Sequence, residues 1–318
     1  MAGFPDQRPG VNYLTEGGQE TEAMYRHGFD LPEFAMFPLL DDPRAVGVLR
    51  DMYTRYLDTA AEYGFGVVIG GFDYRASPDW AGLIGYDAAA LSDMQHRAIQ
   101  FLRDVTDPYR KDLPDVRIVG MVGPRGDAYQ ANRTITADEA EEYHATQLAT
   151  LAEARVDLVE AMTFGSLEEV IGLSRAAARA GLPLSISFTL DSTHHLMSGP
   201  TLKEGIETVD EATGPDRPDF YGINCSHPLE FIPALEPGDW FERVRSLRPN
   251  AAAADKIALC TLGHLEEGDP QQLGVLMGDL ARQYPHIDIW GGCCGTWDKH
   301  LGEIARGVRD ARGLTASV

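Results

Sequence analysis

The run Val156-Asp157-Leu158-Val159-Glu160-Ala161-Met162 leads into the amphipathic stretch Leu167–Ala180 and then into Leu184-Ser185-Ile186-Ser187-Phe188-Thr189-Leu190. The two flanking runs are short and mostly apolar, as expected for strands buried on both faces. The segment between them repeats its apolar residues at helical spacing. Strand, helix and strand in this order make a β-α-β unit, whose two strands pair in parallel.

The same alternation extends in both directions. Further strand-like runs cover residues 11–16, 65–70 and 116–122 upstream, and 220–225, 256–262 and 287–292 downstream. Helical patterns lie between them. Pro43–Tyr63 places Val46, Leu49, Met52, Tyr53, Tyr56 and Leu57 on one face, and residues 88–105, 136–154, 270–284 and 297–311 behave similarly. Thr136-Ala137-Asp138-Glu139 has the form of a capping box. Weaker helical patterns span 202–212 and 228–247, the second interrupted by Pro233 and Pro237. Eight such units predict an α/β fold, a (β/α)8 TIM barrel. It is expected to form a single domain over residues 11–312, with loose termini at 1–10 and 313–318. A doubly wound open sheet is the alternative the alternation allows.

Composition narrows the function. A chain of 318 residues with 44% hydrophobic content can build one large core. A net charge of −22, with no cluster of lysine or arginine, speaks against nucleic-acid binding. No run approaches the roughly 18 apolar residues of a membrane span. Residues 1–10 lack the basic start and apolar core of a secretory leader. The expected compartment is the cytoplasm, where the four cysteines would stay reduced.

The chemistry gathers at Trp290-Gly291-Gly292-Cys293-Cys294-Gly295-Thr296, and at Cys225 within Tyr221-Gly222-Ile223-Asn224-Cys225-Ser226. Both motifs close strand-like runs, and active sites of this fold lie at the carboxyl ends of the strands. Glu16, Asp73 and Glu160 fall at or just after other strand ends. Three thiols so placed suggest a soft-metal site with one position open. Zinc on three thiolates keeps its Lewis acidity and can take a substrate thiol as fourth ligand, in thiolate form. At neutral pH a free aliphatic thiol of pKa about 8.5 is mostly protonated. Adjacent ligands need a sharply turned backbone, which Gly291, Gly292 and Gly295 permit. The reading of a cysteine as a small buried hydrophobe suits Cys260 in Ile257-Ala258-Leu259-Cys260. It suits the glycine-bracketed pair poorly. Spacing alone leaves Cys225 undecided between ligand and core residue. A redox-active pair is a further option, although the usual Cys-x-x-Cys spacing is absent.

Gly222-Ile223-Asn224-Cys225, followed far downstream by Gly291-Gly292-Cys293-Cys294-Gly295-Thr296, resembles the homocysteine S-methyltransferase family over most of the chain. Glu16-Gly17-Gly18-Gln19-Glu20-Thr21 is similar to its first-strand Asp-Gly-x-x-Gly-Thr. Tyr74-Arg75-Ala76-Ser77 is similar to the end of its second-strand Thr-Asn-Thr-Tyr-Gln-Ala-Ser. Residues 156–160 and 184–189 resemble its fourth and fifth strands. The resemblance implies a TIM barrel and a Zn2+ ion held by Cys225, Cys293 and Cys294. It further implies Glu16 and Glu160 facing the ammonium of an amino-acid substrate, Asn224 at the substrate, and a homo-oligomer. Gly17 and Gly18 either let backbone amides approach the substrate carboxylate or only shape a turn.

Four departures fall on the expected mouth. The family aspartate is Glu16 and its following glycine is Glu20. Thr-Asn-Thr is replaced by Gly71-Phe72-Asp73. The expected seventh strand ends in Cys260-Thr261-Leu262-Gly263, not in the usual Tyr-Pro-Asn-Ser-Gly. The metal chemistry is therefore expected to persist while the acceptor or the donor is altered.

The expected partners are a small-molecule thiol and a methyl donor. The expected reaction moves a methyl group from a small sulfonium or quaternary ammonium compound to the thiolate of homocysteine, giving methionine. Such donors leave as neutral molecules, so in-line positioning and exclusion of water are the protein's tasks. Phe72, Asp73 and Tyr74, with Trp80, are candidates for the donor pocket, since aromatic faces and a carboxylate suit a cation. An aromatic near a strand end is more often a core residue, and Asp73 reads equally as a surface residue. The alternatives are a demethylase using another thiol, a non-catalytic zinc or thiol-binding barrel, and a hydrolase using His194-His195. Adjacent histidines on a strand point apart, which counts against the last. His144 and His227 read as helix-surface and loop residues.

Overall fold

The structure, a computed structural model, describes residues 5–126, 128, 134–253, 264 and 266–313. Eight strands pair in chain order: β1 (Tyr13–Leu14), β2 (Gly66–Ile69), β3 (Val116–Val122), β4 (Leu158–Phe164), β5 (Leu184–Phe188), β6 (Phe220–Asn224), β7 (Val244–Arg248) and β8 (Ile289–Trp290). Every pairing is parallel. Tyr13 and Leu14 of β1 meet Ile289 and Trp290 of β8, which closes the barrel. Closure removes the open doubly wound sheet from consideration.

Alternation along each strand builds two cores. Val67 and Ile69 face outward into the large cluster shared with the helices. Val68 faces inward with Tyr13, Val119, Leu158, Phe220 and Ile289. Two residues beyond the inward Leu158 comes Glu160, so the same rule turns this acid into the barrel near its carboxyl end.

The helices are α1 (Gln19–Tyr25), α2 (Pro43–Tyr63), α3 (Pro78–Leu83), α4 (Ala88–Thr106), α5 (Ala137–Glu153), α6 (Leu167–Ala180), α7 (Leu202–Thr213), α8 (Pro228–Phe231), α9 (Pro270–Gln283) and α10 (Asp298–Arg312). Helix α2 starts on Asp42, whose side chain accepts from Arg44 N, and stops at Gly64 with φ 75°. Its buried face carries Leu49, Met52, Tyr53, Tyr56 and Leu57, each worth about 1.5–3 kcal/mol of apolar burial. The expected capping box at Thr136 and Glu139 is present. Among the described residues no helix is long and apolar enough to cross a membrane.

Two expectations need correction. The seventh strand is Val244–Arg248, inside the stretch read as a weak helix over 228–247, where only the short α8 is helical at the start. Its two arginines and one serine hid it, because the arginines find buried partners that are distant in sequence. The Arg245 guanidinium, for example, donates to both oxygens of Asp288. The expected strand over 256–262, and Cys260 with it, lies outside the described residues. His144 is not a surface residue of α5. It is fully buried, with Nε2 3.0 Å from Glu169 Oε1.

Candidate functional site

The carboxyl ends of β6, β7 and β8 are tied together by backbone hydrogen bonds. Cys225 follows β6 with φ 52°, a left-handed conformation uncommon outside glycine and stored at functional sites. Its N–H donates to Arg248 O at 3.2 Å, and Asn250 Nδ2 donates to its carbonyl at 3.1 Å. Cys293, after β8, donates to Pro249 O at 2.8 Å, and Ala251 N donates to Cys294 O at 3.0 Å. Arg248-Pro249-Asn250-Ala251 thus clamps both cysteine loops. Gly18 sits against the second loop, donating to Thr296 O at 2.9 Å, and a Cβ on Gly18 would collide with the Cys293 carbonyl.

The result is a cluster of three sulfurs, all within 4.8 Å of one another. Cys225 and Cys293 are joined as a disulfide, with Cα atoms 5.5 Å apart, and Cys294 stands outside that bridge. Tetrahedral zinc at about 2.3 Å from each sulfur needs the sulfurs about 3.8 Å apart. The three-sulfur donor set fits such an ion once the bridge is reduced. Asn224 Nδ2 lies 3.9 Å from Cys293 Sγ, while its amide also spans Thr163, donating to Oγ1 at 2.8 Å and accepting from the Thr163 N–H at 2.9 Å.

Beside the sulfurs lies an ion cluster. Arg248 Nη1 donates to Glu160 Oε2 at 2.8 Å, Nη2 donates to Glu16 Oε1, and Nε donates to Gly292 O at 3.3 Å. Gly70 N donates to the other Glu16 oxygen at 3.1 Å. All three side chains are at most 2% exposed. Burial raises the Glu160 carboxyl pKa against the pull of Arg248, and the Glu16 charge raises it further.

A cavity of about 300 Å³ opens onto this assembly. Its wall includes Gly17, Gly18, Glu20, Asn224, Arg248 and the three cysteines, with Tyr25, Phe34, Tyr74 and Arg75 on other sides. Burial pushes the Glu20 carboxyl up to about 7. The nearby Glu16 charge adds to this, and Arg248 and Arg75 oppose it.

Residues 13–308 match the family described as Homocysteine S-methyltransferase. The chain belongs to the homocysteine S-methyltransferase family. This is a family of methyltransferase enzymes, and the closed barrel agrees with it. The methionine synthase of Mycobacterium leprae (strain TN) is 24% identical over 270 residues, 82% of this chain and 21% of the relative. That of Mycobacterium tuberculosis (strain ATCC 25618 / H37Rv) is 24% identical over 236 residues, 71% of this chain and 19% of the relative. The chain therefore spans about a fifth of the length of these curated relatives. In fold it is similar to the homocysteine methyltransferase MmuM from Escherichia coli. The metallated form superposes with a TM-score of 0.70 at 18% identity, covering 93% of this chain and 96% of the other. The oxidized form gives 0.71 at 19%, covering 93% and 95%.

Seen within the family, the expected site residues divide. Cys225, Cys293, Cys294, Asn224, Gly17 and Gly18 meet at one cavity wall. Glu16 and Glu160 lie behind Arg248 and are engaged by it. Of the proposed donor pocket only Tyr74 lines the cavity. Phe72 is fully buried, stacked on Tyr53 at 5.7 Å and edge-on to Phe101 at 5.1 Å, so it belongs to the core beneath α2 and α4. Asp73 is also fully buried and not among the lining residues. His194 Nδ1 lies 2.6 Å from Glu230 O, and His195 Nδ1 lies 2.7 Å from Thr193 O. Neither belongs to a cluster of three possible ligands; among the described residues the cysteines form the one such group.

Sequence reasoning missed Arg248, Pro249 and Asn250. The signal was present: Pro249-Asn250 matches the centre of the family's Tyr-Pro-Asn-Ser-Gly, with Arg248 in place of the tyrosine.

Proposed function

We propose that this chain is a zinc-dependent S-methyltransferase that moves a methyl group from a small sulfonium or quaternary ammonium donor to the thiolate of homocysteine, giving methionine. The observation that carries this reading is the convergence of three cysteine sulfurs on the wall of one cavity in a member of this family. Zinc held by Cys225, Cys293 and Cys294 would supply the Lewis acidity that keeps an acceptor thiol ionised at neutral pH. Asn224 directs its amide N–H toward Cys293 and steadies a thiolate there. The Arg248–Ala251 segment fixes the two cysteine loops relative to each other. Tyr25, Phe34 and Tyr74 offer aromatic faces to a cationic donor, and the half-enclosed cavity limits water around the methyl group. The donor starts cationic and leaves neutral, so no general acid is required. A reducing cytoplasm suits the thiol site.

A second reading, a thiol acceptor other than homocysteine, is favoured by one observation: Arg248 already pairs with Glu16 and Glu160.

The test is incubation of the reduced, zinc-loaded protein with homocysteine and S-methylmethionine, glycine betaine, dimethylsulfoniopropionate or S-adenosylmethionine. Methionine is followed by mass spectrometry, with Cys294→Ala as control. Methionine from one donor, lost in the variant, is the expected result. Its absence with every donor, from folded protein carrying zinc, removes the homocysteine assignment.

A further inference from the structure

Two buried acids, Glu16 and Glu160, share one guanidinium, and Gly70 N takes the remaining Glu16 oxygen. A ligand cation could pair with them only by displacing Arg248, and separating a buried ion pair from its partner is strongly unfavourable. Arg248 is therefore the resident cation of this pair.

Glu20 is placed differently. It is the acidic residue among those lining the cavity, where it is accompanied by the rings of Tyr25, Phe34 and Tyr74. Among the described residues no other side chain bonds its carboxylate, whose own backbone N–H holds its pKa down against burial. Arg75 and Arg248 line the same cavity and their charges act on Glu20, yet among the described residues neither forms an ion pair with it. A carboxylate beside aromatic faces and outside any ion pair is a site for an organic cation. The two departures from the family pattern complement each other. Arg248 adds a positive charge to the buried pair in place of a tyrosine, and Glu20 adds a negative charge to the cavity wall in place of a glycine.

We propose that Glu20 is the carboxylate that binds the cationic group of the small molecule in this cavity, Arg248 having withdrawn Glu16 and Glu160 from that role. The proposal rests on the methyl-transfer reading, which supplies two such cations: the ammonium of the acceptor and the onium centre of the donor.

Glu20→Gln keeps the size of the side chain and removes its charge. Its KM for homocysteine and for the active donor are measured separately, with kcat. In parallel, calorimetry on the reduced, zinc-free protein compares methionine with 4-(methylsulfanyl)butanoate, which lacks the ammonium group. The expected loss is about tenfold in one KM, with kcat little changed. If the acceptor ammonium is the partner, the homocysteine KM rises and methionine binds more weakly, while the analogue binds Glu20→Gln as it binds wild type. If the donor is the partner, the donor KM alone rises. Active wild type with both KM values and methionine binding unaltered in Glu20→Gln overturns the assignment of Glu20 and leaves the methyl-transfer reading intact. Wild type that neither turns over nor binds methionine overturns both.

Discussion

Arg248 Nη1 and Glu160 Oε2 are 2.8 Å apart, with both side chains 2% exposed, and the other arm of the same guanidinium holds Glu16. Removing the cation leaves two carboxylates buried together. Arg248→Met is expected to cost about 3–5 kcal/mol of stability, read from urea unfolding. A loss below about 1 kcal/mol would mean that water reaches the acids and that the cluster is not sealed.

The bridge between Cys225 and Cys293 sets a redox condition on the proposed metal site. One sulfur pair cannot be a disulfide and two thiolate ligands at once. Reduced protein is expected to bind one zinc ion, and oxidised protein none, by elemental analysis after gel filtration. Thiol titration should show the reduced cysteines of the cluster masked by zinc. Equal zinc content in both states would remove the cluster as the metal site.

Gly18 lies so close to the Cys293 carbonyl that any side chain must push the Cys293–Cys294 loop. Its φ of −82° is open to other residues, so the conflict is contact and not backbone strain. Gly18→Ala is expected to destabilise by about 1–3 kcal/mol and to weaken zinc binding, measured by chelator competition. Unchanged zinc affinity would show that the loop adjusts without moving its sulfur.

Much of this was legible in the chain because chemistry and strand periodicity coincide. Val116–Val122 is assigned from sequence with the bounds it has in the structure, being β-branched and apolar on both faces. The Gly-Gly-Cys-Cys-Gly element was legible because vicinal thiols among glycines have little packing purpose. β7 was not: Arg245 and Arg248 are inward residues satisfied by Asp288, Glu16 and Glu160, and a hydrophobic rule cannot see partners that distant in sequence. For the same reason Glu16 and Glu160 looked available to a ligand. Phe72 was read toward the pocket because sequence places it near a strand end without saying which way the turn Gly70-Gly71 aims it; Gly71, at φ 136°, lets the chain deliver the ring to Tyr53.

Asp73 carries the clearest pH dependence. It is fully buried, and neither carboxylate oxygen has a hydrogen-bond partner among the described residues. Burial alone raises its pKa from 3.8 to about 8. The unfolded chain loses this proton near 3.8, while the folded chain keeps it to about 8. Between those values the folded state binds more protons, so this group lowers stability progressively as pH rises through the window, and the loss levels off above it. Asp73→Asn cannot ionise and escapes the loss. Urea midpoints at pH values from about 5 to about 8 should therefore show the variant gaining on wild type as pH increases. Parallel curves would mean that Asp73 is ionised in the fold and has a cationic partner or water beside it.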